Sequence, residues 1–205
     1  MLRREGTSGF LSGLCIALGG SVYLACESRY VGALLFSVAL LSICSFGFSL
    51  YTGRIGLIVE NHSAAAIRAL LLGLLGNLVG CLLFGALIRF GVPSLYEAAQ
   101  GLCAGKLAQS APGALIRAFF CGVLMYIAVW TYKSKNTPLG IFVCIPAFIL
   151  SGFEHSIANV FYFAAGGCVS VQCLVYILLI VAGNTLGGVM IPLAQSFAKE
   201  RQTNG

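Results

Sequence analysis

The sequence predicts an all-α membrane protein in which six transmembrane helices form two inverted three-helix repeats, the second and fifth helices being broken. Three observations carry this. Of the 205 residues, 59% are apolar and only 9% charged, against about 25% charged in a soluble domain, so lipid has to be the solvent for most of the exterior. The uncharged runs reach the roughly 20 residues a spanning helix needs and exceed the roughly 10 of a barrel strand. Two of the runs are interrupted by polar residues at membrane depth. In hydrocarbon every backbone polar group needs an internal partner, so such interruptions require a reason.

The spans are taken in order as one domain over 1–205: about 8–26, 30–60 (broken), 66–90, 113–132, 138–164 (broken) and 169–194. The first follows Met1-Leu2-Arg3-Arg4, a start like that of a signal peptide. No A-x-A site follows, Val22-Tyr23-Leu24-Ala25-Cys26 is a poor lipoprotein box, and a second span begins at once, so this segment is expected to remain as a span. Glu27 and Arg29 mark the turn into the second run. That run contains Phe46-Gly47-Phe48-Ser49-Leu50-Tyr51-Thr52-Gly53-Arg54, which reads as a helix that stops and restarts. After the third span, residues 89–111 hold Pro93, Glu97 and Lys106 and read as an extramembrane connection that could carry a short helix. Lys133-Ser134-Lys135-Asn136 closes the fourth span. The fifth meets Glu154-His155 midway, and Gly166-Gly167 turns the chain into the sixth.

The two halves share an order: plain helix, broken helix, helix with Gly-Asn (Gly76-Asn77, then Gly183-Asn184). Three spans per half gives the halves opposite topology, an arrangement associated with transport. With both termini inside, the inner side collects Arg3, Arg4, Arg54, Arg68, Lys133, Lys135, Lys199 and Arg201, and the outer side Arg29, Arg89, Lys106 and Arg117. Eight against four follows the positive-inside rule and places both termini in the cytoplasm of a multi-pass cell (inner) membrane protein. The net charge of +6 is thus orientation information, and no nucleic-acid partner is expected. The nine cysteines are odd in number, lack C-x-x-C or Cys/His metal spacing, and read as small apolar residues. No metal or cofactor is expected.

The breaks hold the candidate chemistry. An ionisable residue within a span usually faces a cavity or a partner, and His155 either meets a solute or caps the restarted helix. Glu154 reads as structural, satisfying free N–H groups of the half-helix after it. Thr52 either donates to a passing anion or caps its own half-helix. Asn77 reads as a bond to a neighbouring loop, while Asn184 fits that role or a pore lining. Lys106 and Arg117 flank the fourth span; each either marks the interface or draws anions toward an apolar path. Phe36 and Phe148 precede the two breaks.

Several stretches in order carry a resemblance: Phe36-Ser37, Leu50-Tyr51-Thr52, Gly76-Asn77-Leu78-Val79-Gly80, Ala128-Val129-Trp130, Ser151-Gly152-Phe153-Glu154-His155-Ser156-Ile157-Ala158-Asn159, and Gly183-Asn184 with Gly187-Gly188. They cover nearly the whole chain, and it resembles the formate/nitrite transporter family. The resemblance implies an aquaporin-like fold and a homopentamer with one path per protomer. It implies passage of small monovalent anions of weak acids, such as formate, nitrite or hydrosulfide, with or as the protonated acid. His155 would be the central pore histidine, Thr52 the loop threonine facing it, Asn184 a pore asparagine and Lys106 the lysine of an electropositive outer approach. Phe36, Leu40, Leu50 and Phe148 would form two apolar constrictions, with Glu154, Asn159 and Asn77 structural at the breaks. Three departures stand out. Gly122 replaces an asparagine common in relatives, Met125 lies near the expected inner constriction, and Arg54 adds a cation two positions after Thr52. The termini are also short, so gating by terminal segments is not carried over. The alternatives are a neutral-solute channel, though paired Asn-Pro-Ala loops are missing, a membrane enzyme using His155 and Glu154, for which no nucleophile–base pair is present, and a poreless structural subunit.

Overall fold

The computed structural model describes residues 2–203, with side chains from 3 to 199; the side chain of Arg201, counted on the inner side, lies outside the described residues. The elements are α1 (Leu2–Ala25), α2 (Arg29–Leu35), α3 (Ser37–Phe46), α4 (Tyr51–Arg54) continued by a 3₁₀ turn (Ile55–Val59), α5 (Ala64–Gly91), α6 (Pro93–Leu107), α7 (Ala111–Lys135), α8 (Leu139–Leu150), α9 (Ser156–Ala165) and α10 (Val171–Thr203). No strand occurs among the described residues. Five segments are long and apolar enough to cross a membrane: α1, α2 with α3, α5, α7 and α10. The remaining apolar stretch is divided between the short helices α8 and α9.

The region 89–111 is more ordered than the sequence suggested. Pro93 opens α6 at a position where a missing N–H is harmless. The helix lies on α9, with Ala99 and Cys103 fully buried. Its small residues let it sit close to that neighbour, which polarity alone did not reveal.

Two long pairings frame the molecule, α1 on α5 and α7 on α10. Both are close crossings over glycine. A Cβ on Gly80 would lie 2.5 Å from the Phe10 carbonyl oxygen, and one on Gly187 would collide with the Phe119 carbonyl. Between the pairs sits α9, all ten of whose residues are buried. A helix that is buried all round is the natural place for a functional residue at its tip.

Both interruptions end their helices in the same way. Gly47 (φ 70°) and Gly152 (φ 68°) adopt the left-handed conformation that glycine tolerates. The next N–H turns back onto the helix, Phe48 to the Ile43 carbonyl and Phe153 to the Phe148 carbonyl, each at 2.9 Å. An asparagine then holds each restarted helix. Asn77 Oδ1 accepts the Tyr51 N–H at 2.9 Å, while its Nδ2 donates to the Ser49 (2.8 Å) and Gly9 (2.9 Å) carbonyls. Asn184 Oδ1 accepts the Ser156 N–H, and its Nδ2 donates to the Glu154 and Ala118 carbonyls, all at 2.8 Å. Asn77→Ala or Asn184→Ala removes three buried bonds and strands backbone groups. Each is expected to lower stability by on the order of 2 kcal/mol, measurable by denaturation in detergent against a neighbouring lipid-facing Leu→Ala control.

Candidate functional site

The restarted helices α4 and α9 meet at their first turns. Thr52 Oγ1 lies 2.9 Å from His155 Nε2, and both residues are buried, at 1% and 3% exposure. His155 is the N-cap of α9, and its Nδ1 accepts the Ala158 N–H at 3.1 Å. A ring nitrogen that accepts carries no proton, so the neutral imidazole has its hydrogen on Nε2. That hydrogen is donated to Thr52 Oγ1, which leaves the threonine hydroxyl hydrogen available for another acceptor. The pair is thus a directed chain, from imidazole N–H through hydroxyl to an oxygen yet to arrive.

Apolar side chains bracket this pair. On one side Phe36 and Phe148 meet edge-to-face with ring centroids 6.3 Å apart, and Phe148 stacks on the His155 ring at 5.8 Å. These rings and His155 itself line a cavity of about 460 Å³ that also reaches Lys106, Arg29 and Arg117. On the other side Leu40 and Leu50, each 1% exposed, line a cavity of about 50 Å³ that ends at Arg54 and Lys133. The helix breaks therefore lie between two cation-bearing mouths.

Glu154 is 2% exposed and its carboxylate accepts from three side chains: Lys106 Nζ at 2.6 Å, Gln109 Nε2 at 2.7 Å and Asn159 Nδ2 at 2.8 Å. A buried carboxylate needs such compensation. The expectation that Glu154 satisfies the N–H groups of the next half-helix is corrected: His155 and Asn184 fill that role, and the Glu154 side chain instead ties α6 to the break. Lys106 does reach the wide cavity, but its charge is matched by Glu154 at 2.6 Å. Asn184 is fully buried, with both amide hydrogens bonded to backbone carbonyls. It acts as a clamp on the break, the role the sequence assigned to Asn77. Asn159 joins the site through Glu154.

The departures also take shape. A Cβ at Gly122 would collide with the Asn184 carbonyl, because this residue faces the α7–α10 crossing. A pore asparagine does not fit at that position, so Gly122 is a packing residue rather than a lost polar contact. Met125 is buried, at 1% exposure, on the same helix. Arg54 Nη1 pairs with Glu5 Oε2 at 2.9 Å, and Ser49 Oγ donates to the same oxygen at 2.7 Å. Sequence reasoning passed over Arg29 as a turn marker. Arg29 and Arg117 both bond to the carbonyl end of α8 at the wide cavity. A charge at a span end offered no local signal of that convergence.

Fold and site together define a polytopic helical membrane protein whose interrupted helices meet at a buried, hydrogen-bonded Thr–His pair. The formate/nitrite transporter family model matches residues 2–197, and the chain belongs to that family. It is 27% identical to the formate channel FocA of Haemophilus influenzae over 78% of this chain and 65% of that protein. It is 30% identical to the nitrite transporter NirC of Salmonella typhimurium over 76% and 65% respectively. The chain thus spans about two thirds of the length of these relatives. Among solved structures, an FNT family ion channel superposes with TM-score 0.81 at 25% identity, covering 96% of this chain and 89% of that one. A pentameric formate channel with formate bound superposes with TM-score 0.80 at 20% identity over 97% of both chains.

His155→Ala removes the cap of α9 and is expected to cost about 1 kcal/mol or more of stability. His155→Asn keeps a capping oxygen and is expected to recover most of it. Thermal unfolding of the two variants side by side checks this, and equal losses would contradict the capping role.

Proposed function

We propose that the chain is a channel for small monovalent anions of weak acids, of formate or nitrite size, and that the species passing the centre is the protonated acid. Six crossings in two inverted triplets, with α8 and α9 together making the fifth, would give each protomer of a homopentamer its own path. Both termini would face the cytoplasm of the cell membrane. The relatives named formate channel and nitrite transporter, and the pentameric formate channel of the same fold, support this reading. The observation that carries it is the Thr52–His155 hydrogen bond at 2.9 Å, held between the Phe36/Phe148 pair and the Leu40/Leu50 pair.

A bare anion between two apolar constrictions loses hydration worth several kcal/mol, which the residues there do not replace. Neutralising the ion removes most of that penalty. The geometry also bears on where the proton comes from. His155 Nδ1 holds the Ala158 N–H, so a second proton on the ring would displace the cap of α9. Giving up the Nε2 hydrogen would leave an imidazolate. His155 is therefore a fixed hydrogen-bond donor that steadies Thr52, and the acid takes its proton from water at the mouth. Thr52 donates its hydroxyl hydrogen to the acid's carbonyl-type oxygen as it passes.

Labelled formate uptake into proteoliposomes against pH tests this. The neutral fraction of a weak acid falls about tenfold for each pH unit above its pKa, so uptake is expected to fall steeply with rising pH. His155→Asn, which keeps the cap but loses the Nε2–H, is expected to lower the maximal rate about tenfold while preserving the pH dependence. Uptake indifferent to both pH and the substitution would sink the mechanism. Swelling with uncharged solutes in place of formate uptake would favour a neutral-solute channel.

A further inference from the structure

The half-helix α8 ends at the wide cavity, and its end is the wrong sign for an anion path. The C-terminus of a helix presents unpaired carbonyl oxygens equivalent to about half a negative charge. Here Ile149 and Gly152 line the cavity beside Phe148 and Phe153, with Leu150 between them in sequence. Two arginines from distant parts of the chain converge on them. Arg29, the first residue of α2, donates from Nη2 to the Leu150 carbonyl at 2.9 Å and to that of Ile149 at 3.3 Å. Arg117, from α7, donates from Nη1 to the Gly152 carbonyl at 3.1 Å. Both side chains are exposed and line the cavity. Among the described residues neither forms an ion pair, whereas Lys106 is matched by Glu154. The uncompensated positive charge of this mouth therefore resides on the two arginines.

We infer that Arg29 and Arg117 determine the charge preference of the wide mouth by covering the carbonyl end of α8 and presenting their remaining guanidinium donors to an arriving small carboxylate or oxoanion. The inference rests on the anion path proposed above. A guanidinium has five N–H donors, and each arginine uses only part of that set on the helix end. The exposed remainder acts over a screened range of about 8 Å at physiological ionic strength, enough to raise the local anion concentration at the cavity entrance. The other mouth differs. No side chain bonds to the carbonyl end of α3 among the described residues, and Arg54 there is paired with Glu5, which leaves Lys133 as the one cation of that cavity outside an ion pair, against two at the wide mouth. The two entrances should thus capture anions with unequal affinity. Arg29 and Arg117 are specificity-determining at entry and take no part at the Thr52–His155 centre.

The test is the initial rate of labelled formate entry against concentration in membrane vesicles of a single orientation, entering from the wide mouth, at low and high ionic strength. For Arg29→Gln with Arg117→Gln the apparent KM is expected to rise about tenfold at low salt with the maximal rate unchanged. The difference should shrink to within about twofold at high salt, where exposed charges are screened. Arg29→Lys with Arg117→Lys, which keeps the charge, should restore most of the affinity. An unmoved KM overturns the inference. So does a fall in maximal rate that ignores salt and is not rescued by lysine, the signature of a merely structural cap. Wild type decides independently of whether the double variant assembles. Its KM from the wide mouth should rise with salt more steeply than from the narrow mouth, and equal salt dependence at both overturns the inference. Wild type that passes no formate at any pH or salt defeats the anion path itself and this inference with it.

Discussion

A backbone that stops being helical inside hydrocarbon frees carbonyls on one side of the break and N–H groups on the other, and lipid offers partners to neither. This chain contains two such breaks, and much of its inner architecture satisfies them. Asn77 and Asn184 each bond across a break, holding the last extended carbonyl and the first helical N–H with one side chain. His155 takes a further N–H of α9, and Arg29 and Arg117 take the carbonyls at the end of α8. The close glycine crossings of α1 on α5 and α7 on α10 place those asparagines within reach of the loops. Packing, capping and the polar centre thus answer one constraint.

The same economy links stability to function. Among the groups that repair the breaks, His155, Arg29 and Arg117 also line the wide cavity, because a break is where side chains and backbone dipoles can face a cavity instead of lipid. His155 shows the coupling most clearly. Its Nδ1 belongs to α9 and its Nε2 to Thr52, so the cap fixes the tautomer and the tautomer fixes the direction of donation. Glu154 and Lys106 form a buried, mutually compensated pair that ties α6 to the same break. In this protein a pair of that kind orients the site more than it charges it.

The fold was legible from composition and run length, and the breaks from Gly, Ser, Thr and charged residues in runs that lipid should have kept apolar. The matching Gly-Asn motifs pointed to the clamps, and the Gly-Phe-Glu-His string pointed to the centre. What stayed hidden was set by contacts distant in sequence. Arg29 looks like an ordinary turn marker, and Arg117 like a span-end cation that either marks the interface or draws anions, until the end of α8 is placed between them. Adjacency to the half-helix suggests a cap from Glu154, whereas the ring of His155 reaches the Ala158 N–H first. In sequence Gly122 looks like a missing polar group, while its real constraint is the backbone of α10 pressed against it. Residues 89–111 read as a connection with room for a short helix, while their polarity hid its length of 15 residues and the packing of Ala99 and Cys103 on α9.

The central claim is that Thr52 and His155 act as one hydrogen-bonded unit at the crossing of the breaks. A double-mutant cycle on formate flux, with Thr52→Val and His155→Asn alone and together, measures that unit directly. If the imidazole works through the threonine hydroxyl, the double variant is no slower than the slower single variant, and the coupling accounts for most of the smaller effect. Independent, multiplicative losses would contradict the account, because they would mean that the two side chains meet the solute separately.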